Sequence, residues 1–395
     1  MPMVPRKLTS YARFIATKYP VVTITGPRQS GKTTLARDAF PDKAYANLEN
    51  PLTRQFATED PVGFLRQYPQ GVILDEIQRT PELLSFIQVQ ADEQRENGFF
   101  VLTGSQQFEL LNSVSQSLAG RTALLKLLPF SVAELLPHWP ELTIDDLLFK
   151  GFYPRIYDQE IPPTQALGDY FETYVERDLR RLINVHNLGL FQKFVRLCAG
   201  RVGQILNLHS LANDTGISHS TARQWLTVLE VSFIVFQLPP YHANIGKRLI
   251  KSSKLYFYDV GLAAWLCGVE EPSHLRNHPL RGNLYENLVV MEVLKFRYNA
   301  GKRSNLYFFR DSIGNEVDLL YTIAHQLLPI EIKAGQSITS DYLKGLRTFA
   351  KLIPELPYGQ LLVYAGAESQ QRSEVTILSV FQLADFLATL KEGVS

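Results

Sequence analysis

Residues 19–40, YPVVTITGPRQSGKTTLARDAF, restrict the fold more than any other stretch of the chain. A β-branched apolar run breaks at a glycine loop and gives way to a helical pattern. Gly26, Gly31, Lys32 and Thr33 fill every fixed position of G-x-x-x-x-G-K-[ST]. The glycines let backbone N–H groups close around a phosphate, and the helix N-terminus adds its positive end. On this reading the loop through Gln29 and Ser30, and Thr34 beyond it, line the phosphates. Lys32 neutralises β/γ charge and the Thr33 hydroxyl ligates Mg²⁺. A glycine turn with a chance lysine is the plain alternative, but strand and helix flank this loop as the motif requires. ATP and Mg²⁺ are the expected cofactors.

Such a loop needs a second strand ending in an acid, and GVILDEIQRTPELL (71–84) has one. Val72-Ile73-Leu74 is too apolar for a strand facing water. Asp75 at its end is expected to hold Mg²⁺, and Glu76 to polarise the attacking water. GFFVLTGSQQ reads as the next core strand, closing on Ser105 and Gln106. Ser105 either senses the γ-phosphate and positions water or caps a helix. Arg121, in SLAGRTALLKLLPF, either reaches a neighbouring subunit's γ-phosphate or is an exposed arginine at a helix end. Strand candidates at 20–25, 43–48, 71–75, 98–103 and 122–128 alternate with helical stretches, which predicts an α/β domain with a mostly parallel sheet.

GPRQSGKTT, ILDEIQ, LTGSQ and SLAGR, in that order, resemble the bacterial AAA+ ATPases known only as ATP-binding proteins, which pair this module with a C-terminal domain of unknown function. The resemblance covers essentially the whole chain. It implies an extra strand between the two phosphate motifs, which KAYANLEN at 43–50 fits, and a ring or partial ring of subunits. It also implies that Arg155, in GFYPRIY, offers the phosphates a second arginine from a lid.

At 395 residues the chain exceeds one ordinary core. We divide it into an ATPase core at 1–135, a helical lid or linker at 136–187, a winged helix at 188–272 and a last α/β domain at 273–395. Residues 164–186 predict a long amphipathic helix. Residues 208–230 have the cadence of a helix-turn-helix, with a turn at Gly216 and an N-cap at Ser218. A hairpin follows, whose tip is expected to carry Lys247, Arg248, Lys251 and Lys254. With His219, Ser220, Arg223 and Gln224 on the second helix, these suit DNA contact. Such units also serve as lids or protein-docking surfaces.

The last domain poses a question of charge. In NEVDLLYTIAHQLLPIEIKAG (315–335) two apolar strands carry Glu316 and Asp318, then Glu331 and Lys333. Charged groups are rarely buried unless paired or bound to something. Alternation along a strand points Glu331 and Lys333 one way, and likewise Glu316 and Asp318. The acid, the twelve residues between and the E-x-K that follows resemble the PD-(D/E)xK nucleases. Glu286, on the upstream helix 281–299, resembles the branch containing archaeal Holliday-junction resolvases. The resemblance implies that Asp318 and Glu331 bind Mg²⁺, that Glu286 completes the acidic shell and that Lys333 activates water. The alternative is an ion-pair cluster in a domain that has lost cleavage.

Forty basic and thirty-nine acidic residues leave overall charge silent on nucleic acid. No run approaches a membrane span, and no secretory leader is apparent. Cys198 and Cys267 have no close partners, which fits a reducing cytosol. The expected function is a cytoplasmic Mg²⁺-ATPase acting as a DNA-directed motor or switch, on branched DNA as one option, and working as a homo-oligomer. The alternative is a nucleotide switch that binds a protein partner and never touches DNA.

Overall fold

The computed structural model describes residues 3–105, 117–179, 187–241, 252–353 and 355–390, with 176–179 described for the backbone alone. Two compact units divide the chain. One holds Met1–Phe130 with Val231–Phe233 and Arg297–Lys302, and the other holds the remainder.

In the first unit, strands β1 (Val21–Thr25), β2 (Ala44–Asn47), β3 (Val72–Asp75), β4 (Phe100–Gly104) and β5 (Thr122–Lys126) form one parallel sheet in the order β2-β3-β4-β1-β5. All five expected strands are present, including the one between the two phosphate motifs. Apolar residues point to both faces because both are covered. Val21, Leu74 and Leu102 pack into one core cluster, while Val22, Ile73 and Val101 pack into the other. That double burial is why these strands read as unbroken apolar runs. Parallel strands bring their C-terminal ends to one edge, where ligands of open α/β sheets bind.

The second unit begins with short helices. In place of one long amphipathic helix, the chain forms an α-helix at Pro163–Tyr170 that widens into a π-helix at Phe171–Leu179. The rest of that expected helix lies outside the described residues. Helices Leu208–Thr215 and His219–Val231 enclose a turn at Gly216, and the Ser218 hydroxyl accepts the Thr221 N–H at 3.1 Å. Strands β6 (Val235–Leu238) and β7 (Lys254–Phe257) then pair antiparallel, so the helix-turn-helix and its hairpin are both present.

The final sheet runs β12-β13-β11-β10-β9-β8, from β8 (Leu306–Arg310), β9 (Glu316–Ile323), β10 (Gln326–Lys333), β11 (Gln360–Tyr364), β12 (Gln370–Gln371) and β13 (Val375–Ser379). β8, β9 and β10 form an antiparallel meander, and β10, β11 and β13 run parallel. Helix Arg281–Asn299 is buried nearly all round. Its polar residues serve as internal anchors. Asn287 accepts from Phe257 N and donates to Phe257 O, and Glu292 accepts from Val132 N at 2.8 Å. The hairpin is stitched to the final sheet too, since Tyr241 N donates to Phe308 O and Phe308 N to Pro239 O.

Candidate functional site

The loop after β1 carries the first site. A Cβ on Gly26 would stand 2.0 Å from the Leu127 carbonyl oxygen, so only glycine lets this loop pass the end of β5. Arg6, from a segment with no recognisable motif, braces the loop. It donates to Ser30 O and Leu128 O, both at 2.7 Å, and stacks over the Phe130 ring. Lys32 is buried and donates to Gly26 O and Pro27 O, so its ammonium is folded onto the loop's own carbonyls. Burial pulls its pKa down to about 8, against the pull of Glu76 and Asp75.

Across the loop, Thr33 Oγ1 lies 2.9 Å from Asp75 Oδ2. A hydroxyl beside a carboxylate is the hard-oxygen pair that Mg²⁺ takes, so these residues fit the ion. Asp75 also accepts from the Tyr45 hydroxyl at 2.7 Å and from Thr103. Burial and the Asp75 hydrogen bond raise the Tyr45 pKa, which keeps the phenol a donor. Glu76 takes a left-handed φ of 57° at the end of β3, a conformation with a cost that functional sites often carry. Its carboxylate accepts from Ser105 Oγ at 3.1 Å and from Gln78 Nε2. Ser105 is thus a direct partner of Glu76, and Gln106 lies outside the described residues.

Arg121 sits elsewhere in the first unit. Arg121 immediately precedes β5, and its carbonyl pairs with Val21 N, at the sheet edge opposite the phosphate loop. Its guanidinium forks onto Asp92 at 2.5 and 2.7 Å. Within its own chain it therefore cannot approach the phosphates. Arg155 belongs to the second unit, where it is exposed and bonds Gln159. The GFYP segment around it has a packing role. Buried Asp259 accepts from Phe152 N and Leu262 N, and a Cβ on Gly151 would meet Asp259 Oδ1 at 2.3 Å.

On helix His219–Val231, Ala222, Trp225, Leu226 and Leu229 face inward, while Ser220, Arg223, Gln224 and Thr227 form an exposed row. His219 stacks on His209. Lys247, Arg248 and Lys251 lie outside the described residues.

Lys254 requires a correction. It is not an exposed residue of the hairpin tip but the first residue of β7, with 3% of its side chain accessible. Alternation along β7 turns Lys254 and Tyr256 together onto Glu286, with Lys254 Nζ at 2.8 Å and the Tyr256 hydroxyl donating at 2.5 Å. The same ammonium reaches Glu316 at 2.5 Å and Asp318 at 3.9 Å. A lysine at the head of the apolar run LYFY (255–258) was the available signal.

Around it the structure brings Glu286, Asp318, Glu331 and Lys333 together. Lys333 Nζ donates to Glu331 at 2.5 Å and to Asp318 at 3.4 Å, and Ile332 N donates to Asp318 Oδ2 at 2.8 Å. Burial lifts the Glu286 carboxyl to about 7, and burial with Asp318 lifts Glu331 to about 8. Burial acts to lower the pKa of both lysines, but the surrounding acids outweigh it and hold both charged. The fit to a metal fails here. Ammonium groups already stand on the acids, and among the described residues no three His, Cys, Asp or Glu side chains converge to hold an ion. No helix among the described residues is long and apolar enough to cross a membrane.

Comparison with known proteins adds three family matches. Residues 18–136 match the AAA domain, and residues 141–273 and 281–383 match two domains of unknown function, DUF8612 and DUF4143. The uncharacterized proteins Mb2031c of Mycobacterium bovis and Rv2008c of Mycobacterium tuberculosis are each 29% identical over 385 residues, spanning 94% of this chain and 84% of theirs. Among solved structures, the Walker-type ATPase PABY2304 of Pyrococcus abyssi is 15% identical, with a TM-score of 0.45 over 67% of this chain and 96% of its own. AMPPCP-bound DnaA from Aquifex aeolicus is 15% identical with a TM-score of 0.30, over 57% and 86% of the two chains.

Proposed function

We propose that this chain, an ATPase by virtue of its AAA domain, is a DNA-directed switch that works as a homo-oligomer. Hydrolysis follows from the residues around the loop. Lys32 leaves its carbonyl partners to meet the β- and γ-phosphates of ATP, and Glu76 orients the attacking water. Ser105 and Gln78 fix the angle of that glutamate. Mg²⁺, held by Thr33 and Asp75, supplies charge stabilisation at the phosphate oxygens. Arg121, facing away from its own site, serves a neighbour's γ-phosphate. Phe86 and Val89 support such packing, being exposed apolar residues one turn apart on the helix Leu83–Gln94 that carries Asp92, the partner of Arg121.

The DNA reading is carried by one observation, the exposed row Ser220, Arg223, Gln224 and Thr227 on the second helix of the helix-turn-helix. The last domain then acts as a clamp on the nucleic acid. The deciding experiment measures ATP turnover with Mg²⁺, alone and with duplex, single-stranded and four-way-junction DNA. Stimulation by one form, lost in Arg223→Ala and weakening steeply with salt, is the expected result. Turnover indifferent to every DNA overturns the reading. A second reading, a nucleotide switch for a protein partner, draws support from Arg223 being the single charged residue in that row. Lys32→Ala, which should abolish turnover in either case, controls for a contaminating ATPase.

A further inference from the structure

The acid cluster of the last domain draws carboxylates from three places: Glu286 on its helix, Glu316 and Asp318 on β9, and Glu331 on β10. Three cations meet these four acids: Lys254, Lys333 and Arg310, the last bonded to Glu316 at 3.0 Å. Lys333 belongs to the E-x-K pattern itself. Lys254 does not, because it arrives from the hairpin of the helix-turn-helix module.

Its position is fixed by the backbone. Lys254 pairs with Leu238 across the hairpin and forms an isolated bridge with Ile205 on its other side. Three residues on, Asn287 takes both the N–H and the carbonyl of Phe257. The ring of Phe308 lies 5.6 Å from the ammonium. Withdrawal of this side chain would strand buried Glu286, which no other cation of the cluster is shown to meet, an unfavourable state for a carboxylate at low dielectric. A second cation in the same few cubic ångströms would meet strong repulsion at low dielectric. One acid atom remains unsatisfied: Glu331 Oε2 is buried, on a residue 7% exposed, without a hydrogen-bond partner. That orphan acceptor is what an acid set built to hold a cation leaves over when an ammonium with limited reach takes the place of an ion.

We propose that Lys254 is a tethered cation standing in the divalent-metal position of the D…ExK-like site. The site binds no divalent ion while Lys254 is present, and its removal frees the acids it touches, Glu286, Glu316 and Asp318, to draw together on one. The last domain is accordingly a non-cleaving module whose acids hold the hairpin in place. Neither ATP nor DNA enters this assignment.

The test uses the full chain in an Asp75→Asn background, free of nucleotide, so that the phosphate-site ion is absent. Mn²⁺ binding is followed by electron paramagnetic resonance in the parent, in Lys254→Gln and in Lys254→Gln with Asp318→Asn. The parent should show no Mn²⁺ binding that depends on Asp318. Lys254→Gln should gain one site at least tenfold tighter than any binding by the parent, and the added Asp318→Asn should remove it. Two results overturn the proposal. One is Mn²⁺ bound by the parent and lost on Asp318→Asn alone. The other is a Lys254→Gln protein, folded by circular dichroism, that gains no site. Should Lys254→Gln fail to fold, the parent with and without Asp318→Asn decides alone.

Discussion

Glu76 aims its carboxylate at a cost to its backbone. A left-handed φ on a non-glycine residue costs on the order of 1 kcal/mol, and here it turns the carboxylate toward Ser105 and Gln78. Glu76→Gln keeps size and hydrogen bonding but loses the charge that polarises water. Turnover is expected to fall roughly 10²–10⁴-fold, with ATP affinity changed little. Steady-state hydrolysis beside equilibrium binding of a fluorescent nucleotide checks this, and unchanged turnover would remove Glu76 from its role. Gly26, Lys32, Thr33, Asp75 and Glu76 were legible because their chemistry is local to two short motifs. Arg6, Tyr45 and Thr103 were not, since each reaches the site across 24 to 122 residues of chain. Nothing in the flanking sequence of Arg6 hints at the Ser30 carbonyl it holds.

At the level of elements, periodicity revealed the strands and the helix-turn-helix but misassigned what β7 does. In helix 281–299 Asn287, Glu292 and Lys295 are all buried, and two of them anchor neighbouring backbone. β7 reads as the base of a basic wing because lysine is usually exposed, and burial among acids reverses that expectation. The GFYP segment reads as the bearer of a lid arginine, and its packing centres on Asp259. That carboxylate caps helix Val260–Leu266 through one oxygen and holds Phe152 N through the other. Asp259→Ala strands both donors and should destabilise the second unit by about 2–4 kcal/mol. Asp259→Asn, with one acceptor oxygen, should fall between. Urea denaturation followed by tryptophan fluorescence tests the order, Trp265 lying in the capped helix.

At the scale of the whole molecule, Arg121 sets the expectation for assembly. In one chain it is paired with Asp92 at the sheet edge remote from the phosphate loop. Arg121→Ala should therefore leave ATP binding intact while lowering turnover by at least tenfold at concentrations where the chain self-associates. Turnover that is independent of both protein concentration and Arg121 would argue for a working monomer. The order of the first sheet also bears on how the protein is made. β1, which precedes the phosphate loop, pairs with β4 and β5 and not with β2, the next strand to be synthesised. A ribosome adding about 5–20 residues per second needs some 5–20 s to travel from the loop to the end of β5. Until β4 has emerged, the Val21–Thr25 segment has neither hydrogen-bonding neighbour, and its five apolar and threonine residues are a natural client for a chaperone at the exit tunnel. ATP binding is thus among the last properties the first unit acquires during its synthesis, although its signature is translated ahead of β2, β3, β4 and β5.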